Sequence, residues 1–237
     1  MPLLSAAERQ PSLPSSGKPA VRAFRRVLRL WPKAARTVRN RSASSFTGNG
    51  GSFLCVITLT WNFENEIGYP NLTQGHLKPA GREIVDAMNA LGVLVDVSHL
   101  SDDGFWDCIE LSGGKHPVVA SHSDARALCP HSRNLTDEML RALGNTGGIV
   151  GVNYYSEFLR ENTNDTLMED VLRHTLHLID KAGIDHVALG SDYDGIESTL
   201  EWKDVSGTPR LLDYLHKKIS WDDLEKITHK NALRVFA

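Results

Sequence analysis

Short runs of β-branched and apolar residues recur along the chain after residue 55, each followed by a stretch with helical spacing. The clearest are VLVDV (Val93–Val97), VVA (Val118–Ala120), GIVGVN (Gly148–Asn153) and HVALG (His186–Gly190). Val56–Leu59 is a fifth candidate. A short continuous apolar run bounded by helix signals reads as a strand buried on both faces, and such strands pair in parallel. Repeated alternation of this kind confines the fold to a parallel sheet with helical cover.

The intervening helices carry start and stop signals. Gly81–Leu91 places Ile84, Met88 and Leu91 on one face and stops at Gly92. Ser101 caps a helix through Leu111, with Asp102 and Asp103 in its first turn. Thr136 caps the next, led by Asp137 and Glu138, with Gly144 near its end. A long helix runs from about Thr166 to Ala182 and stops at Gly183. Ser220 and Asp223 form a capping-box pattern opening a last helix that runs towards Phe236. These βα units number five. An eight-stranded barrel takes about 250 residues, and three more units of ~30 residues each would not fit in the stretch before Cys55. The reading is therefore an open five-stranded sheet or a barrel lacking its first three strands.

The first fifty residues differ in kind. They hold ten Lys/Arg and one acid, a net +9, whereas the rest of the chain is −12. This Arg-, Ser- and Pro-rich stretch has no strand–helix pattern, and it reads as a disordered or non-native extension over 1–53. An organelle transit peptide or a basic arm for nucleic acid or an anionic membrane are the alternatives. It lacks the apolar core of a secretory signal, and no stretch approaches the ~20 apolar residues that span a bilayer. The expected location is the cytoplasm, or an organelle if the start is a transit peptide. Cys55, Cys108 and Cys129 are odd in number and widely spaced, as expected of buried thiols rather than disulfides.

Chemistry concentrates just past the strands, on the face where α/β proteins build active sites. His99 ends VLVDVSH and His122 ends PVVASH, one βα unit apart, which suits a shared metal ion. Asp192 follows the last strand in GSDYDG, where a carboxylate can act as general acid/base or close an Asx turn. For Asp194 the turn is the preferred reading. Arg133, in HSRN, can hold a carboxylate bidentately or lie on the surface. His174 and His177 stand at i, i+3 on a covering helix, which favours packing or a solvated face over metal binding. No GxGxxG, GxxxxGK[ST] or GxSxG motif is present, so no nucleotide site or nucleophilic serine is expected.

The stretches ITLTWNFENEIGYPN, GREIVDAMNALGVLVDVSHLS, VVASHSDARALCPHSRNL, GGIVGVNYY, GIDHVALGSDYDG and NALRVF occur in this order from residue 57 onward. Together they resemble the membrane (renal) dipeptidase family of zinc peptidases, over about residues 54–237. The resemblance implies the C-terminal part of a (β/α)8, TIM-barrel-like fold, truncated to about five βα units, and hydrolysis of dipeptides by metal-activated water. It implies His99 and His122 as ligands of one zinc, Asp192 as the acid/base carboxylate contacting substrate, Arg133 as the binder of the dipeptide carboxylate, and Tyr155 as pocket lining. A homodimer fits this reading, and no nucleic-acid partner is expected.

Two departures stand out. Some members carry a substrate-contacting histidine where this chain has Trp61, whose indole stacks and donates one hydrogen bond but cannot ligate zinc. The family's first-strand His-x-Asp pair and bridging glutamate also find no match, and residues 1–55 contain neither histidine nor aspartate. The family centre is binuclear; here at most one weakly held zinc is expected. The expected function is a zinc-dependent metallodipeptidase, inactive if those ligands are truly missing. The alternative is a non-catalytic fragment of the fold that binds peptides or a partner.

Overall fold

The computed structural model describes residues 56–236; segment 1–53, with its reading as an extension, and Cys55 lie outside the described residues. The strands are β1 (Val56–Thr58), β2 (Leu94–Asp96), β3 (Val118–Val119), β4 (Val150–Asn153), β5 (Asp165–Thr166), β6 (Val187–Ser191) and β7 (Thr199–Leu200). β1, β2 and β3 pair in parallel in that order, as do β4 and β6. A parallel bridge from Ala120 to Val150 joins the two sets, with the Ala120 N–H donating to the Ile149 carbonyl (2.9 Å) and the Gly151 N–H to that of Ala120 (2.8 Å). β5 and β7 form a separate parallel pair.

The main order is thus β1-β2-β3-β4-β6, each strand added on the same side of its predecessor. A doubly wound sheet reverses direction at a switch point; this one does not. With right-handed crossovers, one direction of growth puts the helices on one face, as in a barrel wall. Of the two readings of the strand pattern, the arc of a TIM-barrel-like fold is the one observed.

The helices are α1 (Pro79–Leu91), α2 (Asp102–Ser112), α3 (Asp137–Asn145), α4 (Ser156–Leu159), α5 (Met168–Ala182), α6 (Thr208–Leu215), α7 (Trp221–Glu225) and α8 (Asn231–Phe236). Side-chain oxygens cap three of them, Ser101 accepting from the Gly104 N–H, Thr136 from Met139 and Ser220 from Asp223. The single helix expected from Ser220 to Phe236 is instead interrupted by a π turn at Lys226–Lys230. Beyond that turn the Asn231 side chain donates to the Ile184 and Val187 carbonyls (2.8 Å each), and Arg234 to those of Gly147 and Asp185. No helix among the described residues is long and apolar enough to cross a membrane. Cys108 and Cys129 are free and buried.

Alternation along the strands divides the sheet into two faces. Ile57, Val95, Val118, Val150 and Val187 join Val85, Met88, Phe105, Leu140 and Leu178 in the large core under the helices. Each such buried side chain contributes roughly 1.5–3 kcal/mol. On the opposite face Leu94, Val119, Ile149 and Ala188 pack with Ala232 and Val235 of α8. Two residues further along the same strands the character changes, to Asp96 on β2 and Ser121 just past β3. The inner face is therefore apolar at the N-terminal ends of its strands and polar at the C-terminal ends. Gly151 and Gly190 lie two residues past Ile149 and Ala188, where a Cβ would come within 2.2–2.3 Å of the Ser121 carbonyl oxygen. Glycine is required there because the strands approach too closely for any side chain.

Candidate active site

Asp96 anchors the site. It is buried, and its carboxylate accepts from the Thr58 hydroxyl (2.7 Å), from the Ser98 N–H and hydroxyl (3.1 and 2.7 Å), and from the Ser121 N–H and hydroxyl (3.0 and 2.7 Å). Burial alone would raise this carboxyl. The neighbouring His122 imidazole and the Ser121 and Ser98 donors outweigh it and hold the group below the usual carboxylate range. An ionised Asp96 orders everything attached to it.

The two histidines follow directly. Ser121 gives its hydroxyl proton to Asp96, so its oxygen is free to accept from His122 Nδ1 at 2.7 Å. His99 Nδ1 lies 3.1 Å from the side-chain oxygen of Asn62, an acceptor. Both Nδ1 atoms therefore carry the proton, and both Nε2 atoms present lone pairs. Those two Nε2 atoms face each other across 2.9 Å. Two lone pairs so directed repel unless a cation lies between or beside them, and neutral imidazole with Nδ1–H fixed by an outer hydrogen bond is the usual metal-ligating form. Burial, then Arg133 and His122, push the His99 imidazole down to about 2. Burial likewise lowers His122, with Arg133 acting with it and Asp96 and Asp192 against it. The donor set fits a zinc ion in its chemistry but not in its number, since no group of three His, Cys, Asp or Glu suited to a metal occurs among the described residues.

Arg133 is only 5% exposed, which removes the surface reading open from the sequence. One nitrogen, Nη2, donates to the His122 carbonyl at 3.2 Å, and the guanidinium lies 5.3 Å from the centre of the Phe158 ring. Nη1 is buried with no partner. Burial lowers the guanidinium to about 10, opposed by Asp96, Asp192 and Asp124. A buried cation with one free donor is equipped to take a carboxylate. Asp124, fully buried two residues past His122, is pushed up by burial well above the carboxylate range.

Asp192 closes the arrangement from β6. It and Ser191 both have left-handed backbone conformations, with φ of 69° and 49°. Asn153 donates its side-chain N–H to the Asp192 carboxylate at 3.2 Å. Tyr155 is partly buried beside Phe158, its ring 4.8 Å away. Trp61 is 42% exposed and packs edge-on against Phe63. Thus His99, His122, Arg133 and Asp192 converge, whereas Trp61 has no hydrogen bond to the cluster. Asp194 is exposed. His174 and His177 lie elsewhere: His174 is buried and bridges the Ala125 N–H and the Leu159 carbonyl, and the partly exposed His177 bonds Asp137.

Asp96, Ser121, Asn62 and Asn153 were not among the residues marked from the sequence. For Asp96 a signal was present, a lone acid inside the buried run VLVDVSH. Serine and asparagine residues give no comparable signal, because both types are common in turns.

The family model for membrane dipeptidases (Peptidase family M19) matches residues 54–237. The chain belongs to that family. Among similar proteins, an uncharacterized protein of the pqqA 5′ region of Klebsiella pneumoniae is 42% identical over 188 residues, 74% of this chain and 68% of that one. The dipeptidase tcpJ of Claviceps purpurea is 37% identical over 161 residues, 67% of this chain and 37% of that protein. A metallo peptidase from Rhodobacter sphaeroides, solved with a phosphinate mimic of the dipeptide L-Ala-D-Ala, matches with a TM-score of 0.73 at 34% identity. That match covers 77% of this chain and 55% of the solved one. This M19 chain therefore spans about half the length of that structure and between 37% and 68% of the two relatives.

Proposed function

We propose that this chain carries the metal- and carboxylate-binding part of a zinc-dependent dipeptidase centre that hydrolyses dipeptides with a metal-activated water. The observation that carries the reading is the pair of Nε2 atoms 2.9 Å apart, each with its Nδ1 already committed. A zinc ion held there would supply an activated water and polarise the peptide carbonyl. Arg133 offers its free Nη1 to the carboxylate of the dipeptide. Asp192 holds or delivers a proton beside the scissile bond, Tyr155 lines the pocket, and Trp61 borders the mouth.

The donor count supports one weakly held ion, since catalytic zinc normally takes three protein ligands. Stronger binding, or a second ion, needs ligands from beyond residues 56–236. The same count favours a second reading, a non-catalytic fragment that binds peptides through Arg133. Calorimetric zinc titration of the full chain, beside the His99→Ala/His122→Ala double variant, and a dipeptide hydrolysis assay that includes L-Ala-D-Ala separate the two. Zinc-dependent turnover that the double variant lacks supports the enzyme. Peptide binding without turnover supports the fragment. Equal zinc affinity in both proteins overturns the assignment of the two histidines.

A further inference from the structure

Asn153 is fully buried at the end of β4, in none of the roles assigned above, yet it touches two of the residues that have them. Its side-chain oxygen accepts the Tyr155 N–H at 2.7 Å. That bond fixes which way the amide faces, so the NH2 group must be the end directed at Asp192, 3.2 Å from its Oδ2. The backbone around it is equally specific. The β4–β6 register shifts between Val152 and Asn153, so that Asn153 pairs with Ser191 rather than Gly190. The Tyr154 N–H then donates to the Ser191 carbonyl at 3.0 Å, and the Asp192 N–H turns back to Gly190 at 2.7 Å.

At this irregularity Ser191 and Asp192 take consecutive left-handed conformations, which residues with a Cβ adopt only at a steric cost. Such strain persists only where surrounding contacts impose it. Gly195 completes the enclosure, because a Cβ there would lie 2.3 Å from Asp192 Oδ1. One carboxylate oxygen thus has Asn153 against it and the other has the clearance left by glycine.

We infer that Asn153 is a positioning residue that sets the rotamer of the Asp192 carboxylate and couples it to the Tyr155 side of the pocket. The inference rests on the dipeptidase reading for its catalytic consequence, but not for its geometry. The bulge, the left-handed pair and the oriented amide form a single device whose NH2 group is directed at Asp192.

Two variants of the full chain test it. Asn153→Asp keeps an acceptor for the Tyr155 N–H but turns the donor facing Asp192 into an acceptor. Asn153→Ser is smaller and adds no charge, so it serves if the first fails to fold. With zinc and L-Ala-D-Ala, either folded variant is expected to lose kcat on the order of 10- to 100-fold, with KM changed less than threefold. A crystal structure of the same variant is expected to show the Asp192 carboxylate in a different rotamer. An unchanged kcat, or a loss carried wholly by KM, overturns the inference, as does an unmoved Asp192 carboxylate. If the parent chain shows no turnover, the dipeptidase reading fails on its own, and the crystallographic comparison still decides the positioning role.

Discussion

Ser121 grips Asp96 with two donors at once, its N–H to one carboxylate oxygen (3.0 Å) and its hydroxyl to the other (2.7 Å). The same serine, having given its proton to Asp96, accepts from His122. A carboxylate buried in β2 thereby determines the tautomer of a histidine past β3.

Replacing Asp96 with Asn removes the charge that orders this relay and sets an amide N–H against the serine donors. The folded state is expected to lose about 3 kcal/mol, and zinc affinity to fall roughly 10- to 100-fold. Urea unfolding and zinc calorimetry on the same preparations measure both. Ser121→Ala should affect zinc affinity in the same direction with a smaller loss of stability.

His174 links stability to pH. It accepts from the Ala125 N–H and donates to the Leu159 carbonyl, a pattern available only to the neutral ring. Burial lowers its imidazole to about 4. The unfolded chain, with histidine near its ordinary value, takes up protons first as pH falls. The contribution is therefore fully present above about pH 6.5 and is lost as pH drops towards 4. Between pH 7 and pH 5 it amounts to about 2 kcal/mol. His174→Gln, which can accept and donate without titrating, should flatten that part of the stability–pH curve in denaturant titrations.

Ser191 should be replaceable by glycine with a gain in stability. Its φ of 49° is one that glycine adopts without a Cβ clash. A gain of about 0.5–1 kcal/mol corresponds to a rise of roughly 1–4 °C in Tm for a chain of this size. Scanning calorimetry reads it. Turnover should fall in the same variant, because the backbone that carries Asp192 is then freer.

Arg133→Lys tests the carboxylate subsite. Lysine keeps the charge but not the planar fork, whose two nitrogens separately aim one donor at the His122 carbonyl and one at a substrate carboxylate. KM for a dipeptide should rise roughly 30- to 100-fold, the equivalent of about 2–3 kcal/mol for a charge-assisted bond. Steady-state kinetics against the dipeptide and its amide check it, since the amide should discriminate little between the two proteins.

The strands and capped helices were legible because their signals are local. Apolar runs mark β2, β3, β4 and β6, and Ser101, Thr136 and Ser220 each sit one residue before a helix. Four short elements between Ser156 and Leu215 were not. The pair β5 and β7 and the helices α4 and α6 depend on contacts between distant segments, such as the Ser156 N–H with the Ser198 hydroxyl at 2.8 Å. His99, His122 and Asp192 could be singled out because each follows a recognisable strand. Asn153 could not, because its importance comes from a register shift, which the pairing of two strands creates and neither strand encodes alone.

The contacts of Asn231 and Arg234 bear on the order in which the molecule is made. Four backbone carbonyls, those of Gly147, Ile184, Asp185 and Val187, take their partners from these two side chains. A ribosome delivers those partners only after β1 to β7 have emerged. Until then, the base of β4 and β6 lacks its closing bonds and the covering provided by Ala232 and Val235. The nascent chain can assemble the zone around Asp96 before its opposite end is sealed, so a stall or cleavage ahead of residue 231 would leave the future site formed on an unfinished wall.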